Sequence, residues 1–576
     1  MKSGLTQATG AVRRFLGTRA NERLMLMVVG FAVGVCSGLA AVALNRSIIT
    51  LTHWLEPLRG TWWAFVLPGC GATLSALFLE KLMREGAGHG VPEVIYSVTR
   101  RGGLLRLRTS FSRLVSSLLT IGSGGSAGPE APIVASGASI GSNIGRFLGF
   151  NDRRRITLVG CGAAGAIAAV FNAPIAGIVF TVEVILDEWT AINIVPIAIA
   201  AVAGTEVSRL LQGNQIPFAH TAFSITMPDL IAAAGLAIAC AAVSVGLSRL
   251  VRASHGFWAK VPAGIWWRAF LGGCVVGGIG TLVPSALGEG YDAVKEGIEG
   301  RFATGLLLVS VILVAKIVAT ATTLGSGGSG GIFAPALAVG SLLGLAFHRA
   351  LITVWPSVGW VGEGCFALLG MAGLISGILQ APLTGLFLVI EITGGYEVIL
   401  PLIIVSMVSS TLCHALEPAS FYLKDLMAGG PLVRPGSDAR ILADLKVTEL
   451  LERDCLVVPE TMRLGELVEI VKKSHRNHFP VVEPGSDRLA GMVHLDDVRG
   501  YLFDTGLRNA VVVAEIMTAN PAIVSPDTGL IEILALMDRT RSFSLPVVDN
   551  GRFLGMVSKG TVLDQYRKEL IVQSSK

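Results

Sequence analysis

Apolar residues run in long blocks through residues 24–425, broken by short polar or glycine-rich turns, and this pattern ends near residue 424. Blocks at 24–52, 61–80, 192–211, 228–249, 267–284, 303–323, 333–354 and 396–416 cross or nearly cross a bilayer, which takes about 20 helical residues. Shorter blocks at 133–148, 161–171 and 366–379 predict helices that stop at mid-membrane. Beyond Tyr422 a Gly- and Pro-bearing linker leads into alternating strand and helix patterns of a soluble α/β domain.

The membrane part is written twice. Residues 122–132 read GSGGSAGPEAP and residues 325–335 read GSGGSGGIFAP, with Glu130 standing opposite Phe333. A second pair follows, GAAGAIAAVFNAPIAGIVFTVEV (162–184) and GMAGLISGILQAPLTGLFLVIEI (370–392), in which Pro174 matches Pro382 and Glu183 matches Glu391. Duplicated helices broken by Gly and Pro, in an apolar chain, point to a transport site between two repeats. The predicted fold is an all-α multi-helix membrane protein with inverted-repeat halves, at about 24–215 and 228–425.

Composition agrees. Hydrophobic residues make up 52% of the chain, charged residues 15%, and mean hydropathy is +0.65, which excludes an ordinary soluble enzyme. Residues 1–23 carry Lys2, Arg13, Arg14, Arg19 and Arg23 without an apolar core, so they predict a cytoplasmic tail and not a signal peptide. The net charge of +5 is spread over short segments such as Arg153–Arg155, which mark the inner membrane face and argue against nucleic-acid binding. Seven of the eight cysteines lie in apolar blocks and none forms a CxxC pair, so neither a disulfide framework nor a metal site is expected.

The C-terminal part also repeats. VVPETMRLGELVEIVKKSHRNHFPVVEPGSDRLAGMVHLDDV (457–498) and IVSPDTGLIEILALMDRTRSFSLPVVDNGRFLGMVSKGTVL (523–563) each predict strand, helix, PVV strand, turn and GMV strand. This resembles a tandem CBS pair, placed at 441–505 and 512–573 after a linker at 426–440. The resemblance implies a cytosolic regulatory module and, as a ligand, an adenine nucleotide. Its nucleotide signature, Ser/Thr-x-x-Asp after the GMV strand, is split here. The first copy has His494 for the hydroxyl and keeps Asp497, while the second keeps Ser558 and has Thr561 for the acid. Nucleotide binding through Asp497 and Ser558, and a structural or dimerising role, both stay open.

The membrane phrases GHGVPE (88–93), GPEAP (128–132), GIFAP (331–335) and SFY (420–422) resemble, in order and spacing, the four anion-site segments of the CLC chloride channels and transporters. FNAPIAG (171–177) is a further shared phrase. Independently of the family, Gly-rich turns that end in Pro-bearing helix starts suit an anion. Unpaired amides there bind it without a full positive charge, so the anion also leaves. Amides of Ile332 and Phe333 are the candidates, and Tyr422 offers a neutral hydroxyl. Glu130 is an acid at a presumed buried helix start, where ionisation is costly unless the group sits where an anion belongs. The resemblance makes it the gating glutamate, with His89 and Gly90 at the inner anion site. It also implies a homodimer with one pore per subunit and about 18 helical segments.

Two departures matter. His89 stands where the family commonly has a Ser, which bears on selectivity and favours chloride only as an expectation. After FNAPIAG, proton-coupled relatives usually carry two successive acids, and here Glu183 is followed by Val184. One residue is a turn of about 100° around a helix, so Glu183 does not replace the second acid. A passive, glutamate-gated chloride channel is therefore placed first, a chloride/proton antiporter second, and a membrane nucleotide sensor third. No nucleophile–base pair, HExxH or P-loop suggests an enzyme, and the chain is expected to need no cofactor beyond the bound chloride. It is expected to be multi-pass in a plasma or inner membrane, with N-terminus and CBS pair cytoplasmic.

Overall fold

The apolar blocks become helices, and in one case a polar side-chain cap sets the start well before the apolar run begins. A computed structural model describes residues 19–86, 90–214, 218, 223–302, 305–427, 445, 447–474, 476–501 and 506–575. The chain divides into two units, residues 1–432 and 433–576. The expected tail at 1–23 and linker at 426–440 fall largely outside the described residues.

In the first unit the helices are α1 (Arg19–Arg59), α2 (Leu67–Leu77), α3 (Val91–Arg100), α4 (Thr109–Gly122), α5 (Glu130–Phe147), α6 (Asp152–Phe171), α7 (Pro174–Phe180) and α8 (Ala191–Gln212). The second repeat adds α9 (Met227–Lys260), α10 (Ile265–Leu282), α11 (Tyr291–Ile298), α12 (Leu306–Ser326), α13 (Phe333–Val354), α14 (Glu363–Leu379), α15 (Pro382–Thr393), α16 (Ile399–Leu416) and α17 (Phe421–Met427). Among the described residues nine helical stretches are long and apolar enough to cross a membrane, and 174–186, 363–379 and 382–393 are shorter apolar helices. The family's count of about 18 segments is consistent with this mixture of spanning and non-spanning helices.

The expectation that 161–171 stops at mid-membrane needs correcting. The helix starts at Asp152, because the Asn151 side chain accepts the Arg154 amide at 3.0 Å and caps it. Arg155 then lies buried, donating to the Gly102 carbonyl at 2.9 Å and to Asp152 at 2.6 Å. The polar run was thus the first turn of the helix and not a loop before it.

Helices α6 and α14 are rich in Ala and Gly and apolar all round, so each is buried in the bundle. Helix α6 packs on α5, and α14 packs on α13, which gives the two repeats the same central pair. One continuous apolar core runs through both repeats.

In the second unit, the first CBS copy forms β1 (Val458–Pro459), α18 (Leu464–Lys473), β2 (His478–Val482), β3 (Leu489–His494) and α19 (Leu495–Arg499). Strand β1 pairs parallel to β2, and β2 pairs antiparallel to β3. The second copy forms α20 (Val513–Ile516), α21 (Leu530–Thr540), β4 (Ser544–Asp549), β5 (Arg552–Ser558) and α22 (Lys559–Ser575). Its expected first strand is reduced to a single bridge, Val524 to Val547. Each copy has its own apolar core.

His478 and His494 face each other across β2 and β3, with Nδ1 atoms 2.7 Å apart and rings edge to face. Only one proton fits between those nitrogens. Burial, and then the neighbouring His494, hold His478 below the usual imidazole range, against the opposing pull of Asp496. A histidine depressed on folding lends stability that is present above its unfolded value and lost as pH falls. We therefore expect the unfolding transition of the second unit, followed in the full chain, to move to lower temperature as pH drops below about 6.5. His478→Gln should flatten that dependence in scanning calorimetry.

Candidate functional site

The two glycine-rich turns meet at the centre of the membrane unit. Gly128 donates its amide to the Gly331 carbonyl at 2.9 Å, and Gly331 returns the bond to Gly128 at 2.8 Å. The Ser126 amide donates to Thr323 Oγ1 at 3.1 Å, and the Ser329 amide donates to Thr120 Oγ1 at 3.1 Å. Each contact of one repeat on the other is thus repaid in kind, as a local two-fold axis requires. The turns are satisfied by each other, so the starts of α5 and α13 have no need of them. Among the described residues the amides of Ile332 and Phe333 find no acceptor, while the Ile332 carbonyl already serves the Ala336 amide at 2.8 Å. The Phe333 ring is held by Phe171 at 5.4 Å and Phe180 at 6.0 Å.

A carboxylate lies at this place. Glu130, 1% exposed, opens α5. Its Oε1 accepts the Tyr291 hydroxyl at 2.7 Å, and its buried Oε2 has no side-chain hydrogen-bond partner among the described residues. A Cβ on Gly128 would come within 2.1 Å of that Oε2 and 3.0 Å of the Ala334 nitrogen. The side chain therefore folds back over Gly128 toward the first turn of α13, and only glycine leaves it room.

A second pair of carboxylates ties the repeats together. Glu391, at the end of α15, accepts the amides of Ile175 at 3.0 Å and Ala176 at 2.7 Å, at the start of α7. Glu183, following α7, accepts the amides of Leu383 at 3.1 Å and Thr384 at 2.7 Å, and the Thr384 hydroxyl at 2.7 Å, at the start of α15. Both carboxylates are used in capping. Val184, beside Glu183, brings no titratable group.

His89 lies outside the described residues. Gly90 caps α3 with φ +80°, and a Cβ there would meet the Ala131 carbonyl at 2.8 Å. Gly90 thus seats the start of α3 directly against the first turn of α5. Buried Arg113 steadies this approach, donating to the Gly86 carbonyl at 3.1 Å and to Glu93 at 3.0 Å. Tyr422, 1% exposed, keeps a hydroxyl with no partner among the described residues, on a short helix packed against α3. Glu130, Ile332, Phe333, Gly90 and Tyr422 are thus all built into the two-fold core and its inner approach.

Glu130 has neighbours that the sequence did not single out. Tyr291 bonds it, Glu289, just before α11, interacts with it, and Lys316, in α12, interacts with Glu289. Lys316 is fully buried and donates to the carbonyls of Ala286 at 3.2 Å, Leu287 at 3.4 Å and Gly288 at 2.8 Å. A lysine in the middle of the 303–323 block was the available signal, since a cation at that depth needs acceptors.

In the CBS pair both nucleotide candidates are engaged internally. Asp497 accepts the His494 amide at 3.0 Å as a helix cap. Ser558 donates to Glu452 at 2.5 Å, Thr561 also donates to Glu452, and Arg476 pairs with both Glu452 and Asp454. Burial of Glu452 opposes its ionisation, but the hydroxyls of Ser558 and Thr561 and the Arg476 guanidinium more than offset this and hold the carboxyl below its usual range.

The chain was compared with known proteins. The family model described as voltage gated chloride channel matches residues 70–414, and the CBS domain model matches 447–504 and 513–568. A ClcB-like protein of Ralstonia nicotianae, named by likeness to a chloride channel protein, is 30% identical over 418 residues, covering 70% of this chain and 96% of that protein. The H(+)/Cl(-) exchange transporter ClcA of Klebsiella pneumoniae is 30% identical over 439 residues, covering 72% of this chain and 90% of that protein. A solved slow cyanobacterial Cl-/H+ antiporter shares the fold, with a TM-score of 0.65 at 24% identity over 70% of this chain and 97% of its own.

Removing either capping carboxylate strands at least two amides of a short, Pro-started helix. Glu183→Ala and Glu391→Ala should each lower stability by about 1–3 kcal/mol, seen as a lower midpoint of thermal unfolding in detergent. A midpoint unchanged in both variants would show that water replaces the caps.

Proposed function

We propose that this chain, which belongs to the voltage-gated chloride channel (CLC) family, exchanges chloride for protons across its membrane. The observation that carries this reading is the Glu130 carboxylate, lodged against the amide-bearing start of α13. Chloride and this side chain compete for one seat, and protonation of the carboxyl frees it. One group therefore holds either a proton or the anion's place, which is what links the two movements. The exchanger names borne by relatives such as the Klebsiella protein, aligned over 90% of its length, favour exchange over the passive channel placed first from the sequence.

In this reading the amides of Ile332 and Phe333 bind chloride, and the Tyr422 hydroxyl, with His89 and Gly90, forms the inner anion site. Val184 supplies no proton, and Glu183 is committed to Leu383 and Thr384. Protons from the inner side then reach Glu130 by water. This same Val184 is what favours the second reading, a glutamate-gated chloride channel.

The protein is a multi-pass integral membrane protein that carries a tandem CBS pair. We place its N-terminus and CBS pair in the cytoplasm, from the basic segments near the helix ends. We further propose a homodimer with a separate pathway in each subunit, no enzymatic reaction and no required cofactor. For the CBS pair, a structural role suits the internal use of Asp497 and Ser558, and an adenine nucleotide is the alternative. A thermal shift with ATP or AMP tells them apart.

Purified protein in chloride-loaded liposomes tests the main reading. An outward chloride gradient should drive protons uphill, and a chloride leak without proton movement would select the channel. Glu130→Gln should keep chloride flux, abolish proton movement and remove the pH dependence of flux. A variant that kept its pH dependence would remove Glu130 from the gate.

A further inference from the structure

The partner of the gate is a tyrosine that sequence reasoning did not single out. We propose that Tyr291 is the outer latch of the gate, a positioning residue whose hydroxyl holds the Glu130 carboxylate in its seat and so sets the pH at which the pathway opens. This rests on the reading of Glu130 as the gate.

The geometry supports a latch in three ways. The Tyr291 hydroxyl at 2.7 Å is the sole hydrogen-bond partner the carboxylate has among the described side chains. It donates, so it favours the ionised, seated form over the protonated, released one. Its ring is fixed, packed edge-on against Phe218 at 5.6 Å.

Tyr291 also stands at a boundary. Its outer side lines a cavity of about 1360 Å³, together with Asn45, Thr52, Arg59, Ser285 and Glu289. Glu130 does not line that cavity. The hydroxyl is thus the joint between the outer cavity and the buried acid. The turn before it is pinned from below by Lys316, through its bonds to the carbonyls of residues 286–288.

The charged and titratable groups facing this pair are Glu289 and Asp292 beside Tyr291, Lys316 from α12 and Tyr422 from the inner side. Glu289 repels a seated carboxylate, Asp292 acts on Glu289, and Lys316 is engaged with Glu289 and with the carbonyls it binds. A neutral donor is therefore needed at the contact itself, and Tyr291 supplies it.

Tyr291→Phe keeps the ring on Phe218 and removes only the donor. The pH of half-maximal chloride flux in liposomes should move up by about one unit, since a hydrogen bond to a charged group is lost. Apparent chloride affinity at pH 7.5, by titration calorimetry on the detergent-purified protein, should rise by roughly 3- to 10-fold as the competitor weakens. The calorimetric arm decides the matter if the variant carries no flux.

An unchanged flux midpoint, or unchanged affinity in a variant without flux, overturns the latch. In a Glu130→Gln background, Tyr291→Phe should change neither the pH-independent chloride flux nor the apparent chloride affinity, and a change there shows that Tyr291 acts elsewhere. Glu130→Gln alone that keeps its pH dependence overturns the gate reading instead, so the two failures are distinct.

Discussion

The membrane unit depends on one constraint: helix ends buried in lipid must have every polar group answered from within the protein. Here each repeat answers for the other. Gly128 and Gly331 exchange amide bonds, Thr120 and Thr323 take the amides of the opposite turn, and Glu183 and Glu391 cap the opposite short helices. The turns are thereby closed without drawing on the first amides of α13. Those amides stay available at depth because the turns that precede them are paired with each other.

The duplication is broken where function needs it. One copy presents Glu130 and the other Phe333, so a structure close to two-fold acquires a single acid and a single direction. Phe333 is packed by Phe171 and Phe180 from the first repeat. That packing fixes the backbone that carries the amides, while among the described side chains Tyr291 alone hydrogen-bonds Glu130. In the proposed exchange, that packed backbone is the anion seat and Glu130 its competitor.

Much of this was legible in the chain. Helix positions followed from apolar blocks, and the matched phrases located Glu130, Phe333, Glu183 and Glu391 because repeats are visible without any fold. What escaped were contacts that only the third dimension makes. Tyr291 meets Glu130 from 161 residues away, and nothing in a short GEGY stretch names its target. The Asn151 cap moved the start of α6, since a polar first turn looks like a loop to a hydropathy reading. Ser558 matched a ligand motif, yet Glu452, 106 residues earlier, takes its hydroxyl.

The crossed caps also bear on how the protein is made. The amides at Ile175 and Ala176 wait for Glu391, which is 216 and 215 residues further on. At ribosomal rates of about 5–20 residues per second, that delay is roughly 10–40 s. During it the first half sits in the bilayer with a bare helix end, held by water or by the insertion machinery. Assembly of the pathway is therefore a late event in biogenesis, completed when the nascent chain delivers its second half.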